Sequence, residues 1–489
     1  MDWPKEKKYA DYSTWNSKTL LALQSEAQNS DFYPKYHISP SSGLLNDPNG
    51  FSFFNNQWHV FHQFYPFGPV HGLKSWNHLI SNDLVHWENK GVALYPDNKY
   101  DNYGVYSGSA IPFKDYLFLM YTGNSRDKRW NRTPYQLGCI LDRNGAVQKL
   151  SKPLIEKPTI FTEHFRDPQI IKHNNEYFAL IGAQKKANKQ GEISFFKSQD
   201  LINWSYIGVI NFKNKLSNYM IECPNLIFIN NQPLLIYCPQ GAKVALNSNI
   251  YPNVFVIGKS FNFSSGYFDS ENKPQPIDMG FDNYATQAFT APNGKSYSIS
   301  WAGLPEIEYP TDKENWAHCL SVVKELSIKD NRLIQRPVST LKKLRYNEVD
   351  SSSKVEWNKS LAYNTNNQYE LKLHIAANQA DSLFLTASKN LQKKIIVNFN
   401  TGRNAYLSVD RSKIAYPFAQ DYGTKRSISL PANHTLDLDI FVDHSICEIF
   451  VNGGQQVLTL RFFTDKQDTK IFLSQKLKVK GKFWKMENI

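Results

Sequence analysis

The sequence lacks any apolar run that approaches the roughly 20 residues of a membrane-spanning helix. Its N-terminus, Met1 to Lys8, carries charges but is not followed by the apolar segment of a secretory signal. These two absences predict a cytoplasmic protein with no membrane partner.

Cysteine is also scarce, with five residues among 489. No Cys-x-x-Cys pair is present, which argues against the common zinc and redox motifs, and we expect no metal site. The odd number and the scattered positions favour free thiols in a reducing compartment. The five are Cys139, Cys223, Cys238, Cys319 and Cys447.

Positive charge exceeds negative charge, with 56 lysines and arginines against 44 acidic residues and a formal net charge of +12. The basic residues are dispersed and no nucleic-acid-binding motif stands out, so we expect no nucleic-acid partner. A solvated basic surface is one explanation of the charge. The other is an anionic small-molecule substrate, whose encounter a positive field accelerates.

Helical periodicity is nearly confined to residues 1–30, where we predict an N-terminal extension with one short helix over Ser17–Ala27. Beyond it, aromatic and β-branched runs alternate with turns rich in Asn, Gly, Asp and Pro, which is typical of an all-β fold. Hairpin turns recur about every 60 residues, a spacing typical of blade arrays. They lie at 55–56, 114–115, 174–175, 230–231 and 293–294. A closed ring leaves few exposed sheet edges, so we predict a five-bladed β-propeller.

The domain boundaries follow from where this pattern fades. The propeller is predicted to span residues 31–340, and a polar, charged linker is expected at 341–358. Alternating strands over 359–489 predict a C-terminal β-sandwich. This last segment carries Asp443 and Glu448, for which we expect structural roles because no partner carboxylate shares their register.

Each repeated unit carries one polar residue near the start of its first strand. If these first strands line the central channel, the five residues converge on the axis. They are Asp47, Ser107, Asp167, Glu222 and Tyr284. Converging carboxylates suit glycoside hydrolysis, in which one protonates the leaving oxygen and another attacks the sugar or activates water. This chemistry needs no cofactor, and the expected partner is a small sugar.

Four short motifs occur in order along the chain. They are Asn46-Asp47-Pro48-Asn49-Gly50, Phe61-His62-Gln63-Phe64, Arg166-Asp167-Pro168 and Glu222-Cys223-Pro224. Together they resemble the β-fructofuranosidases of glycoside hydrolase family 32. The resemblance runs from about His37 to the C-terminus. It implies a five-bladed β-propeller followed by a β-sandwich, in agreement with the fold predicted from the repeats.

The resemblance also implies roles for individual residues. Asp47 stands at the position of the nucleophile, Glu222 at that of the general acid/base, and Asp167 at that of the transition-state stabiliser. A retaining mechanism requires the nucleophile and acid carboxyls to lie about 5–5.5 Å apart. The other residues implied to bind the fructoside are Asn46, Gln63, Trp76, Ser107, Arg166 and Tyr284.

Segments 66–74 and 121–132 resemble those of bacterial family members that act on sucrose 6-phosphate. This likeness implies hydrolysis of the β-fructofuranosidic bond of sucrose 6-phosphate to glucose 6-phosphate and fructose. A phosphate group requires cations, either lysine as a compact charge or arginine as a bidentate donor. The candidates are Lys74, Arg126, Lys128, Arg129 and Arg132, and Lys74 is singled out among them.

Three alternatives remain open, and the oligomeric state is not predicted. An intracellular β-fructosidase would act on unphosphorylated sucrose or short fructo-oligosaccharides. A fructosyltransferase would pass the fructosyl group to a sugar instead of to water. A non-catalytic sugar-binding propeller belongs to a different class, and an acid/base at Glu222 argues against it.

Overall fold

The computed structural model describes residues 3–242, 251–350, 366–474, 477 and 479–489. An N-terminal segment with two helices, Lys5–Lys8 (α1) and Ser17–Gln28 (α2), precedes the first strand. The second helix begins after Asn16, whose side-chain oxygen accepts a hydrogen bond from the Thr19 N–H and satisfies a free donor of the first turn. The helix predicted here is present, with one residue more at its C-terminal end. None of the helices in these ranges is long and apolar enough to cross a membrane.

The described chain from Gly43 to Pro337 forms five main sheets, one after another along the sequence. The first contains Gly43–Phe54 (β1), Gln57–Tyr65 (β2), Ser75–Ser81 (β3) and Trp87–Leu94 (β4). The second contains Val105–Phe113 (β5), Tyr116–Arg126 (β6), Arg132–Leu141 (β7), Val147–Lys149 (β8) and Ile155–Glu156 (β9). The third contains Phe161–His173 (β10), Glu176–Lys185 (β11), Gly191–Ser198 (β12) and Trp204–Val209 (β13).

The fourth sheet, with a small ribbon beside it, contains Met220–Ile229 (β14), Gln232–Gln240 (β15), Val254–Ile257 (β16), Ser260–Asn262 (β17), Tyr267–Asp269 (β18) and Gln275–Pro276 (β19). The last segment contains Tyr284–Thr290 (β20), Ser296–Ala302 (β21), Trp316–Ala317 (β22), Cys319–Leu320 (β23), Lys324–Lys329 (β24) and Arg332–Pro337 (β25). Strands β20, β21, β24 and β25 form the fifth sheet, whereas β22 pairs in parallel with β1. The end of this part of the chain is therefore joined to its beginning.

The first strands of the five sheets, β1, β5, β10, β14 and β20, contact one another in cyclic order, and β20 returns to β1. On each of them, one buried side chain accepts a hydrogen bond from a backbone N–H of a neighbouring first strand. The acceptors are Asn49, Ser109, Gln169, Asn225 and Gln287, and their donors are Gly108, Ile170, Leu226, Ala288 and Phe51 in the same order. These five hydrogen bonds tie the first strands into a closed ring.

A register irregularity interrupts each first strand just before its ring acceptor. Such a bulge bends the strand and turns side chains in a new direction. The positions two residues before the acceptors are Asp47, Ser107, Asp167, Cys223 and Ala285. Glu222 and Tyr284 lie one residue earlier, level with Arg166. Glu222 and Tyr284 were predicted to occupy the same register as Asp47, and this prediction was wrong by one residue. In their strands, Cys223 and Ala285 occupy the position that corresponds to Asp47.

The C-terminal part forms two further sheets that enclose one apolar core. The strands are Arg345–Asp350 (β26), Gln368–Ile375 (β27), Ala380–Ala387 (β28), Ile395–Asn400 (β29), Tyr406–Asp410 (β30), Lys425–Ser429 (β31), Leu436–Asp443 (β32), Ile446–Val451 (β33), Gln456–Arg461 (β34), Lys470–Leu473 (β35) and Val479–Met486 (β36). The spatial orders are β26-β36-β27-β32-β33-β34 and β31-β30-β29-β28-β35. Short 3₁₀ turns complete the described elements, at Tyr12–Thr14, Pro310–Glu314, Ser339–Leu344 and Gln420–Tyr422.

The segment predicted as a linker at 341–358 is partly built into these sheets. Its first residues belong to the 3₁₀ turn, where Leu341 and Leu344 are buried, and the next form β26, which pairs with β36. Arg345 also donates two hydrogen bonds to Glu370, at 2.6 and 2.5 Å. The prediction was wrong for 341–350, because polar side chains on an edge strand resemble a linker in sequence. Residues 351–358, and the predicted start of the next domain at 359, lie outside the described residues.

Two buried carboxylates connect the N-terminal and C-terminal sheets. Asp443 accepts backbone hydrogen bonds from Lys35 at 2.7 Å and from Tyr36 at 2.8 Å, and the His37 ring contacts it at 2.8 Å. The other nitrogen of that ring lies 3.2 Å from Glu448, which also pairs with Lys324 at 3.0 Å. This junction cluster, defined as His37, Lys324, Asp443 and Glu448, is buried throughout. Its contacts agree with the structural roles expected for the two acids.

Candidate active site

A pocket of about 300 Å³ opens on the ring of first strands. All five first strands contribute to its wall, because the residues at or just before their bulges face it. Eight of the ten predicted site residues line it, namely Asn46, Asp47, Gln63, Lys74, Arg166, Asp167, Glu222 and Tyr284. The bulges therefore bring three carboxylates that are far apart in the sequence to one place.

Asp47 is held by two short side-chain hydrogen bonds, and the Cys223 thiol lies 3.9 Å from its Oδ2. The Ser107 hydroxyl donates to its Oδ2 at 2.5 Å, and Asn46 Nδ2 donates to its Oδ1 at 3.0 Å. Pro48 follows within the bulge and fixes its own φ, so the backbone has little freedom here. A carboxylate fixed in this way is suited to act as a nucleophile.

Glu222 is bound on both carboxyl oxygens. Arg166 donates to Oε1 through Nη2 at 2.6 Å and through Nε at 3.0 Å, and the Tyr284 hydroxyl donates to Oε2 at 2.6 Å. Burial and the charge of Glu222 hold the pKa of Tyr284 well above its usual value, so its hydroxyl remains a donor. Burial alone would lower the pKa of Arg166, but Glu222 and Asp167 raise it, so its guanidinium stays charged. The two donors fix the direction of the Glu222 carboxyl group.

Asp167 is a buried carboxylate with few donors. Its Oδ2 accepts the Cys223 N–H at 3.2 Å, and Arg166 Nε lies 3.9 Å away. Burial raises the pKa of Asp167 to about 7; Arg166 opposes this rise, and the negative charges of Glu222 and Asp47 add to it. The pocket therefore holds a proton close to neutral pH, where an isolated aspartic acid would have lost it.

Lys74 belongs to the pocket wall, although only 4% of its surface is exposed. Its Nζ donates to Asn46 Oδ1 and lies 2.7 Å from His71 Nδ1. Burial lowers the pKa of Lys74 to about 7, although the charge of Asp47 favours the protonated form. The ammonium group is thus engaged inside the protein, which favours a role in holding Asn46 over contact with a distant phosphate.

Gln63 connects Lys74 and Asn46 to the Asp47 carboxylate. Its Oε1 accepts from Asn46 Nδ2 at 2.9 Å, and its Nε2 donates to Ser107 Oγ at 2.6 Å. Ser107 lies behind Asp47 and does not line the pocket. A continuous chain of hydrogen bonds therefore runs from Lys74 through Asn46, Gln63 and Ser107 to Asp47.

Trp76 lies beside the pocket and does not line it. Its side chain is fully buried between Phe61 and Tyr121, with ring centroids 5.7 and 6.0 Å away. Its Nε1 donates to the Tyr106 carbonyl at 3.1 Å. The structure thus places the indole of Trp76 in the apolar core that supports the pocket wall, and its predicted contact with the sugar stays a prediction.

The pocket also contains residues that the sequence reasoning did not select. They are Tyr9, His71, Gly72, Tyr106, Gln240, Trp301, Pro305 and Glu306. Tyr106 could have been found, since it occupies in β5 the register of Arg166 in β10. Trp301 could have been found by pairing, since it lies opposite Tyr284 on the neighbouring strand. Tyr9 belongs to the N-terminal segment, where no repeat points to the pocket.

The chemistry available in the pocket is that of oxygen acids and bases. Within the ranges that the structure describes, no group of three or more His, Cys, Asp or Glu residues is placed to hold a metal ion. The pocket combines a fixed carboxylate, a carboxyl group oriented by Arg166 and Tyr284, and a third group that keeps a proton near neutral pH. This set suits acid-assisted displacement at a sugar carbon.

Comparison with known proteins also points to glycoside hydrolysis, and the matches extend over nearly the whole chain. Residues 37–337 match the family described as "Glycosyl hydrolases family 32 N-terminal domain", and residues 338–485 match "Glycosyl hydrolases family 32 C terminal". The chain is 41% identical to the sucrose-6-phosphate hydrolase of Pediococcus pentosaceus, over 99% of this chain and 96% of that protein. It is 43% identical to that of Streptococcus mutans, over 97% of each. The structure of sucrose-6-phosphate hydrolase from Lactobacillus gasseri superposes with a TM-score of 0.97 at 47% identity, covering 100% of both chains.

Proposed function

Because the chain belongs to glycosyl hydrolase family 32, we propose that it hydrolyses sucrose 6-phosphate to glucose 6-phosphate and fructose. The observation that carries this proposal is the convergence of Asp47, Asp167 and Glu222 in one pocket. The relatives that match over nearly the full length are named for the same reaction, which supports the choice of substrate. A phosphorylated sugar is retained inside the cell, so we also propose a cytoplasmic place of action.

In this proposal Asp47 is the nucleophile. It attacks the anomeric carbon of the fructosyl group and forms a covalent fructosyl-enzyme, while the bond to the glucosyl oxygen breaks. Ser107 and Asn46 support the role, because their hydrogen bonds aim the carboxylate without neutralising it. Water then attacks the same carbon, the ester bond to Asp47 breaks, and fructose leaves with retained configuration.

Glu222 is the general acid and then the general base. It gives a proton to the leaving oxygen in the first step and removes one from the attacking water in the second. Arg166 and Tyr284 hold its carboxyl group in one direction, which supports transfer along a defined path.

Asp167 is the group that stabilises the transition state. Its position in the Arg-Asp-Pro motif supports this role through the family resemblance, and its burial beside the nucleophile supports it physically. In its ionised form, a carboxylate in a site of low polarity interacts strongly with the positive charge that develops on the fructosyl ring, and that charge itself favours the ionised form. Arg166 offsets part of the repulsion among the three acids.

The finer description of the fold is also a proposal. We infer that the five N-terminal sheets are the blades of a five-bladed β-propeller and that the two C-terminal sheets form a β-sandwich. The cyclic contacts of the first strands, the five ring hydrogen bonds and the pairing of β22 with β1 support this inference. A propeller joins its last blade to its first, which leaves few exposed sheet edges.

A substrate panel tests the proposed function directly. Purified protein is given sucrose 6-phosphate, sucrose, short fructo-oligosaccharides, inulin and levan, and release of fructose is measured. We expect the highest kcat/KM with sucrose 6-phosphate. Equal or higher values with sucrose or the oligosaccharides would indicate an unphosphorylated fructoside as the substrate. Oligosaccharide products without free fructose would indicate a transferase, and binding without any product would indicate a sugar-binding protein.

A further inference from the structure

The N-terminal segment, residues 3–28, forms part of the pocket wall although the family match begins only at residue 37. Tyr9 lines the pocket. The segment is attached next to it by two hydrogen bonds, because the Leu73 N–H donates to the Lys8 carbonyl at 2.8 Å and the Tyr12 hydroxyl donates to the Leu73 carbonyl at 3.0 Å. The segment is therefore a fixed component of the site.

The same segment packs on the tip of the β6–β7 hairpin through Trp130. The Lys5 ammonium lies 3.0 Å from the centre of the Trp130 ring, and the ring of Tyr9 lies 5.6 Å from it. The Arg126 guanidinium lies 4.6 Å from the same ring and donates through Nη1 to the Trp130 carbonyl at 2.8 Å. Trp130 thus connects the N-terminal segment to Arg126.

Arg126 and Arg132 are basic residues without acidic partners. Within the described parts of the chain, neither forms an ion pair with a carboxylate, and Arg126 Nε is buried without an acceptor. Arg132 donates through Nε to Asn124 at 2.9 Å, and its guanidinium lies 5.3 Å from the ring of Tyr106 on the pocket wall. Burial, followed by repulsion from Arg166 and Arg126, lowers the pKa of Arg132, whereas Tyr106 and the charge of Asp167 raise it. An anion beside these arginines would relieve the repulsion.

We propose that Arg126 and Arg132, positioned by the N-terminal segment, form the subsite that binds the phosphate group of the substrate. The inference rests on the proposed function, which supplies a phosphorylated sugar. The three carboxylates repel a phosphate from the ring axis, and the two guanidiniums attract it to the side of Tyr9 and Tyr106. Arginine is suited to this task, because its planar fork donates two parallel hydrogen bonds to phosphate oxygens.

The other cations considered from the sequence fit this task less well. Lys74 is buried and bound to Asn46 and His71. Lys128 and Arg129 lie exposed on the turn that follows Arg126. Trp130 is a positioning residue in this subsite, since its ring packs against the Arg126 guanidinium. Tyr9 supports it from the N-terminal segment through the contact between their rings.

Substrate selectivity tests the subsite. The kcat/KM values for sucrose 6-phosphate and for sucrose are measured for the wild type and for Arg132→Gln, Arg126→Gln and Trp130→Ala. For Arg132→Gln we expect a loss of roughly 10- to 100-fold with sucrose 6-phosphate and a change of less than about threefold with sucrose. The matched control is Arg143→Gln, which removes an exposed arginine of the same sheet that pairs with Asp115. Equal losses on both substrates, or none, would overturn the subsite.

Product inhibition separates this inference from the proposed function. Sucrose hydrolysis is followed with added glucose 6-phosphate or with added glucose. We expect glucose 6-phosphate to inhibit the wild type at least about 10-fold more strongly than glucose, and we expect this advantage to disappear in Arg132→Gln and to shrink in Trp130→Ala. If the wild type fails to prefer sucrose 6-phosphate, the substrate proposal is wrong, and this readout still decides whether the arginines bind phosphate. Equal inhibition of the wild type by both compounds would overturn the subsite.

Discussion

Two clusters of buried carboxylates in this molecule differ in how their negative charge is compensated. In the junction cluster, Asp443 accepts three backbone hydrogen bonds and one from His37. Burial would raise the pKa of Glu448, but Lys324 and His37 lower it to about 2. Both acids of the junction therefore stay charged near neutral pH.

The pocket cluster has three carboxylates for two basic side chains, whereas the junction cluster has two carboxylates for two. Arg166 is bound to Glu222, and Lys74 is partly neutral near pH 7 because burial lowers its pKa to about that value. The pKa of Asp167 is raised to about 7 by burial and by its acidic neighbours. Complete charge compensation therefore stabilises the junction, whereas incomplete compensation leaves the pocket able to exchange a proton and to bind a developing positive charge.

The largest effect is expected when the pocket cluster loses its nucleophile. Asp47→Asn keeps the shape of the side chain but removes the charge, so we expect kcat to fall by about 10⁴-fold or more. The melting temperature should stay within a few degrees of the wild type, because Ser107 and Asn46 still meet a polar group. Fructose release and thermal unfolding are measured on the same preparation. Near-normal turnover would remove Asp47 from the mechanism.

The junction cluster should respond in the opposite way. Glu448→Gln leaves His37 and Lys324 without their shared counterion in a buried place, so we expect a loss of about 3–5 kcal/mol in the free energy of unfolding. The control is Glu325→Gln on β24, whose partner Lys295 is half exposed and where we expect less than about 1 kcal/mol. Urea unfolding at pH 7 measures both. A variant with normal stability and no activity would contradict the division between the two clusters.

The dependence of stability on pH sharpens the comparison. The folded state holds a proton on Asp167 up to about pH 7, whereas the unfolded chain releases it near pH 4, so this group lowers stability as the pH rises between these values. Asp167→Asn removes the loss. The free energy of unfolding of the variant, measured relative to that of the wild type, should therefore rise by about 1–3 kcal/mol from pH 4.5 to pH 8. Its activity should fall. Glu448 acts with the reverse sign, because its folded pKa is low and its contribution is lost only as the pH falls from about 4.5 to 2.

That pH experiment uses urea unfolding at both pH values for the wild type and for Asp167→Asn. Asp115→Asn is the control, since Asp115 is an exposed acid on the second sheet. A stability difference between Asp167→Asn and the wild type that is the same at both pH values would contradict the raised pKa. It would also remove the contrast with the junction cluster.

Much of this architecture is readable from the sequence because repeats are local. A hairpin turn such as Asn55-Asn56 specifies its own strand pair, and five similar turns predict five similar sheets. The motifs around Asp47 and Asp167 lie at equal distances from ring acceptors, so their convergence also follows from register. The one-residue error at Glu222 arose because a bulge changes which side chain faces the axis, and a bulge has no fixed signature in a single strand.

What the sequence could not predict depends on contacts between distant segments. Trp76 was expected on the pocket wall, but an indole looks the same in sequence whether it meets a sugar or the apolar core. Lys74 was singled out for phosphate, and only the packing of His71 and Asn46 around it reveals that it is buried. Tyr9 reaches the pocket because the N-terminal segment packs on Trp130, and no repeat or hydrophobic periodicity in the sequence predicts that contact.

The smallest effect compares two serines of β5 that lie two residues apart. Ser107 donates to Asp47 in the pocket, whereas Ser109 accepts the Ile170 N–H at 2.8 Å in the ring. For Ser107→Ala we expect kcat to fall about 10-fold, because the nucleophile loses a charge-assisted hydrogen bond, with little change in stability. For Ser109→Ala we expect a loss of about 1–2 kcal/mol in the free energy of unfolding, because a buried N–H loses its acceptor, with kcat unchanged.

These two variants are matched in size, chemistry and strand, so they separate the pocket from the ring that supports it. Both are measured for kcat on the preferred substrate and for urea unfolding at pH 7. If Ser107→Ala lost stability and Ser109→Ala lost activity in equal measure, pocket and ring would be one cooperative unit. If the two outcomes are separate, as we expect, the ring hydrogen bond of Ser109 stabilises β5, and Ser107 contributes to catalysis without contributing much to stability.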